Sequence, residues 1–216
     1  GTSRGIGKAL AEHYLAKGDR VIGFARSSPT INHKNYAHYF VDMTKHDAIM
    51  GFFESAGRID RLINNAGIAS MNHTLLTPME KVREIFAVNV LGTYACVQEA
   101  MRKGCKRVVN FSTVAVPYDL PGEAAYAASK AAVESLTRIW AREFATMGAT
   151  VNAVGPTPVD TSLIKGVPRE KLAALIERQA IKRMGLVEDV INVVDFFLSP
   201  DSEFVTGQTI YLGGAS

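Results

Sequence analysis

The sequence is poor in cysteine: only Cys96 and Cys105 occur in 216 residues. Their spacing fits neither a disulfide framework nor a zinc site, so the fold must stand without cross-links, and a reducing, cytoplasmic setting is expected. No apolar run reaches the roughly 18 residues that a membrane span requires, so no membrane partner is expected. No signal segment is visible, although a missing N-terminus would hide one. Neither sign of charge dominates: the net charge is +3, spread along the chain. Its densest basic cluster, MRKGCKR, closes a helix, where cations complement the dipole, so nucleic-acid binding is disfavoured. The five histidines, His13, His33, His38, His46 and His73, show no metal-ligand spacing, and no metal is expected. Repeats, low-complexity tracts and linkers are also missing, which leaves one domain over 1–216.

What is present is an alternation of short β-rich runs with longer helical ones. RVIGFA, AHYFVDM, RLINNAG, RVVNFSTVA, ATVNAVGP and QTIYLGG read as strands; helices are expected at 8–17, 46–56, 79–102, 124–147, 169–178 and 187–198. The strands are apolar on both faces, as when helices cover both sides of a parallel sheet. The pattern predicts a doubly wound, Rossmann-like α/β fold in three layers, its ligand crevice at the carboxyl ends of the strands. An irregular stretch at 156–168 follows a strand there. It reads as the start of a substrate lid over about 156–185, or as a plain connector.

The chain opens on GTSRGIGKAL. Gly1, Gly5 and Gly7 form a glycine turn running into a helix, where free N–H groups and a partial positive charge receive a pyrophosphate. About 20 residues on, where an acid would read the adenosine ribose, stand Ala25 and Arg26. With Arg4 in the turn, two guanidiniums and no acid favour NADP over NAD, unless both are solvated surface groups. Tyr126 and Lys130 lie four apart on a predicted helix and share a face. An ammonium beside a phenol stabilises the phenolate and lowers its pKa, which would make Tyr126 a usable proton donor.

Together with Asp42, NNAG at 64–67, Asn89 and the strand-end hydroxyls Ser112 and Thr113, these motifs occur in an order that resembles the short-chain dehydrogenase/reductase family nearly end to end. The resemblance implies an NADPH-dependent enzyme that reduces a carbonyl to an alcohol by hydride transfer. It implies that Tyr126 protonates the substrate oxygen and that Lys130 lowers the phenol pKa and binds the nicotinamide ribose. A strand-end hydroxyl would orient the substrate, and Asn89 would hold a water leading from the lysine to solvent. Gly1, Ser3, Arg4, Gly5, Ile6, Gly7 and Arg26 would bind the cofactor phosphates. Asp42 would bond the adenine, and Asn64, Ala66 and Gly67 would line the ribose. Pro156, Val159 and Thr161 would contact the nicotinamide end.

The chain departs from the family pattern in three ways. The serine usual 13 residues before the tyrosine is Thr113 here, with Ser112 one residue earlier; spacing favours Thr113 and leaves Ser112 open. Thr157 stands where glycine is usual. The first strand is absent and two segments are short, so the expectation is a longer natural chain that does not begin at Gly1. A 3-oxoacyl thioester is the slightly favoured substrate, because Leu163, Ile164, Val167, Leu172 and Leu175 mix with Lys165, Arg169, Lys171 and Arg178. The alternative is a non-catalytic NADP-binding sensor or assembly protein. Sugar-nucleotide chemistry would need a longer C-terminal region. Family members pair through the helices carrying Asn89 and Tyr126, so a homodimer or homotetramer is expected.

Overall fold

A computed structural model describes residues 1–160 and 167–215. Among the described residues, six parallel strands carry the fold: β1 (Val21–Ala25), β2 (Tyr36–Phe40), β3 (Arg61–Asn64), β4 (Arg107–Phe111), β5 (Thr150–Gly155) and β6 (Thr209–Tyr211). Seven described α-helices alternate with them: α1 (Gly5–Ala16), α2 (His46–Ala56), α3 (Met79–Phe86), α4 (Thr93–Arg102), α5 (Ala124–Glu143), α6 (Arg169–Arg178) and α7 (Val187–Leu198). Helices α2, α4 and α5 bury one face of the strands around Phe52, Phe53, Val97 and Trp140. Helices α1 and α7 bury the other around Leu10, Val109, Val194 and Phe197. Each large side chain removed from water contributes about 1.5–3 kcal/mol, so both layers are held by burial. The doubly wound architecture is the one expected from the alternating pattern. None of the described helices is long and apolar enough to cross a membrane.

The described strands pair in two parallel groups. The order is β1-β2 in one sheet and β3-β4-β5-β6 in another. Between the facing edges of β1 and β3 lies a gap of about 480 Å³, bordered by Val21–Phe24 and Arg61–Asn64 and floored by Leu10, Tyr14 and Phe53. No described strand hydrogen-bonds to those two edges. At the mouth of the gap the amino group of Gly1 donates to Phe24 O at 2.7 Å, which ties the glycine turn to β1.

The expected helix at 79–102 is likewise divided. A π-helical turn at Ala87–Gly92 separates α3 from α4, the kind of bulge that often marks a functional position. The expected helix at 124–147 ends at Glu143, followed by a short 3-10 turn, and α1 begins earlier than expected, at Gly5.

Candidate active site

Helix α5 builds the site because of its periodicity. Tyr126, Lys130, Glu134 and Thr137 recur at intervals of four, four and three, so they form one stripe, and that stripe lies along the carboxyl end of β4. Lys130 Nζ donates to Phe111 O at 2.8 Å. Glu134 accepts a short hydrogen bond from Ser112 Oγ and another from Tyr211 Oη at 2.6 Å. Thr137 Oγ1 accepts from Asn110 Nδ2 at 2.9 Å, and Asn110 Oδ1 accepts from Asn64 Nδ2 at 2.9 Å. A polar seam thus crosses an otherwise apolar layer with its partners satisfied, which is the condition for burying it cheaply.

The seam separates the two candidate hydroxyls. Ser112 Oγ donates to Glu134, whereas Thr113 lies beside the phenol of Tyr126 and pulls its pKa down. Strand alternation explains the split, since adjacent residues point to opposite faces. Burial, the larger influence, pushes the Tyr126 phenol up to about 12, against the lowering pull of Thr113 and with a further raising push from Glu123. Burial also pulls Lys130 down to about 8. The expected depression of the phenol by Lys130 is not what this geometry displays: the ammonium is engaged by Phe111 O, and burial dominates the phenol.

Asn89 sits in the π-turn, fully buried. Its Oδ1 accepts from Ile68 N, and its Nδ2 donates to Ile68 O and to Ser129 Oγ, all at 2.9 Å. The side chain therefore clamps the loop after β3 to α5 and has no donor left for a water. Asn64 is similarly committed inside the seam, which leaves only its backbone toward the crevice. Gly67 lies against both groups: a Cβ there would stand 3.2 Å from Asn89 Oδ1 and 3.4 Å from Lys130 Nζ.

The glycine turn lies at the head of α1, with Arg4 as its extended N-cap residue and Gly5 at φ +58°. A Cβ on Gly7 would collide with Gly1 O and Asn65 Nδ2, so a glycine at this point lets the turn and Asn65 close onto the head of α1. Asn65, which the sequence reading passed over, donates to Gly1 O at 3.3 Å and fastens β3 to the turn. Arg4 and Arg26 are both exposed, and Ser3 is half-buried. Asp42 Oδ1 is occupied by Thr44 N and Thr44 Oγ1, each at 2.9 Å. Those bonds, the backbone one foremost, and the nearby Arg26 hold its carboxyl below the usual range. A nicotinamide dinucleotide fits this donor set: a glycine turn at the N-terminus of α1 with exposed cations, Arg4 and Arg26, beside it.

A cavity of about 450 Å³ continues from Thr113, Tyr126 and Lys130 toward α6, with Ile6, Met71, Pro156 and Leu175 among its walls. Val159 is buried and forms an isolated bridge to Gly185. Thr157 bonds the side chain of buried Gln179, and its methyl fills the space that a Cβ on Gly185 would need. The residue that breaks the family pattern is thus accommodated by Gly185. Thr161, with Leu163, Ile164 and Lys165, lies outside the described residues. Among the described residues, no group of three or more His, Cys, Asp or Glu could hold a metal ion.

Comparisons with known proteins agree with this geometry. The family model described as enoyl-(acyl carrier protein) reductase matches residues 1–215. The 3-oxoacyl-[acyl-carrier-protein] reductase of Vibrio cholerae is 31% identical over 228 residues, covering 99% of this chain and 93% of its own. That of Haemophilus influenzae is 31% identical over 229 residues, with 99% and 94% covered. Among solved structures, the aldohexose dehydrogenase of Thermoplasma acidophilum superposes with a TM-score of 0.89 at 30% identity, over 100% of this chain and 91% of that one. A 4-hydroxyisoleucine dehydrogenase mutant complexed with NADH and succinate gives 0.93 at 25% identity, over 100% and 96%.

Proposed function

The chain belongs to the short-chain dehydrogenase/reductase family, and from that premise we propose that this carbonyl-reducing oxidoreductase uses NADPH and acts on a 3-oxoacyl thioester or a similar ketone. The observation that carries the reading is that Thr113, Tyr126 and Lys130 line one cavity, with Thr113 beside the Tyr126 phenol. Two hydroxyls side by side in one cavity suit a single substrate oxygen, and so a carbonyl.

When bound, the nicotinamide supplies the hydride to the carbonyl carbon. Thr113 orients the substrate oxygen by donating a hydrogen bond, and Tyr126 donates a hydrogen bond and then its proton. A phenol held near 12 is fully protonated at neutral pH, so the donor is always loaded. The phenolate left behind needs a cation, which Lys130 provides. With its pKa near 8, Lys130 exchanges protons readily at working pH and reloads the tyrosine, with the main chain of the π-turn around Asn89 holding the water that leads to solvent. Lys130 also takes a hydroxyl of the nicotinamide ribose.

NADPH is supported by Ala25 and Arg26 where an acid would read the ribose, and by Arg4 in the turn. Ser3, Ile6 and the backbone of Asn64, Ala66 and Gly67 complete that half of the site, with Asp42 at the adenine and Pro156 and Val159 at the nicotinamide. The thioester is supported by the names of the bacterial relatives and by the cavity wall. There the apolar Leu172 and Leu175 lie beside Lys171 and Arg178, a mixture suited to an acyl chain on a phosphorylated carrier. The described parts of the expected lid, residues 156–160 and 167–185, border this cavity. Leu91, Tyr94 and Ile139 are exposed by 66%, 46% and 47%, and this apolar face pairs copies of the chain into a dimer or tetramer. Light scattering on the purified protein should give a multiple of the monomer mass; a monomer at micromolar concentration contradicts the pairing. A turnover screen of 3-oxoacyl thioesters, ketones and sugars with NADPH and NADH tests the function. NADPH oxidation with a thioester is expected, and no turnover with any carbonyl would refute the reading.

A further inference from the structure

A chain of side-chain hydrogen bonds lies outside the catalytic apparatus and ends beside Arg26. It begins in the glycine turn. Thr2 Oγ1 is 2.7 Å from Tyr36 Oη, Tyr36 Oη is 2.9 Å from His38 Nδ1, and His38 Nε2 is 3.1 Å from Ser27 O. The room for this meeting comes from Gly23, which pairs with His38 across β1 and β2. A Cβ at Gly23 would collide with Thr2 Oγ1 and lie 2.8 Å from Tyr36 Oη. A strand otherwise rich in bulky residues thus gives up one side chain where the two hydroxyls touch.

The carbonyl at the end sets the direction of the whole chain. Ser27 O only accepts, so His38 Nε2 carries the proton, and in the neutral ring Nδ1 is then an acceptor. Tyr36 must donate to it, and its own oxygen must accept from Thr2. Burial raises the Tyr36 pKa, with the Thr2 bond pulling the other way, so the phenol remains a donor. A second tie runs parallel to the first: Thr30 Oγ1 donates to Ser3 O at 3.1 Å. The loop at 26–30 is therefore fastened at both ends to residues 2 and 3 of the turn. The turn carries Arg4, and the loop carries Arg26.

We propose that Tyr36 and His38 are positioning residues for cofactor choice, holding the 26–30 loop against the glycine turn so that Arg26 and Arg4 bind one 2′-phosphate together. The inference rests on the NADPH reading above and deepens it. Neither residue touches the dinucleotide; both fix the spacing between the two guanidiniums. An ordinary structural role would weaken NADPH and NADH alike, whereas a role in spacing affects only the cofactor that carries the extra phosphate.

The test is equilibrium binding of NADPH and NADH, by calorimetry, to the unaltered protein, Tyr36→Phe and His38→Leu. The phenylalanine keeps the ring and removes only the joint. Losing one hydrogen bond in the chain should weaken NADPH about three- to tenfold and change NADH by less than about twofold. If Tyr36→Phe does not fold, His38→Leu gives the same reading from the next link. Equal losses for both cofactors, or an unchanged NADPH-to-NADH ratio, would overturn the positioning role while leaving the cofactor reading intact. An unaltered protein that binds NADH as tightly as NADPH would overturn both.

Discussion

The two neighbouring hydroxyls at the end of β4 should fail in opposite ways when removed. Thr113→Val keeps shape and deletes the group facing Tyr126. The loss of one oriented donor at a reacting oxygen costs about 10²–10³ in kcat, and inside the protein the change removes the 3.2 Å bond from Ala115 N and the contact with the Tyr126 phenol. Its thermal midpoint should move little. Ser112→Ala removes a donor from Glu134, a buried carboxylate with two hydroxyl partners among the described residues. A hydrogen bond to a charged buried group is worth about 1.5–3 kcal/mol. At about 2–4 °C per kcal/mol for a chain of this size, the midpoint should fall by about 3–12 °C. Turnover below that temperature should stay within about threefold of the unaltered enzyme. Differential scanning calorimetry beside steady-state kinetics reads both quantities. The reverse pattern, with Ser112→Ala inactive and Thr113→Val fully active, would refute the assignment.

Two further outcomes follow from the charges around the site. Lys130 has a folded pKa near 8 against about 10.4 in an unfolded chain, so between these values the unfolded chain holds more protons and this group makes stability rise with pH. Its ammonium is lost over the same rise, so kcat/KM should fall above about pH 8 while the Lys130 contribution to stability grows. Lys130→Met should remove that part of the stability slope, and a slope unchanged in the variant contradicts the assignment. Arg26→Asp should cost NADPH affinity far more than NADH affinity, by deleting a charge-assisted contact and adding repulsion; binding titrations showing equal losses would count against NADPH.

The readable parts of this molecule were those carried by local pattern. Helices α6 and α7 fall where the periodicity placed them, and Tyr126 with Lys130 shares a face because four residues make about one helical turn. The π-turn at Ala87–Gly92 was invisible, since the apolar pattern runs through it unbroken. Its cause is distant, in the bonds of Asn89 to Ile68 and Ser129, 21 and 40 residues away. The same holds for the seam of Asn64, Asn110 and Thr137, whose members meet only after the strands pair. Glu134 had a local signal, one turn beyond Lys130 on the same stripe, but its partner Tyr211 is 77 residues off. Spacing alone left Ser112 and Thr113 open; that Ser112 Oγ donates to Glu134, 22 residues away, carries no local signal. The linkage of Tyr36 and His38 to Thr2 depended on Gly23, whose missing side chain has meaning only once β1 lies beside β2.

The central claim is that the Tyr126 hydroxyl delivers the proton to a substrate oxygen, and Tyr126→Phe tests it most directly. The ring and its burial remain, and only the acid is removed. Turnover should fall at least about 10²–10⁴-fold, while NADPH affinity measured by calorimetry stays within about threefold. A variant that still reduces its carbonyl substrate at a comparable rate would contradict the account.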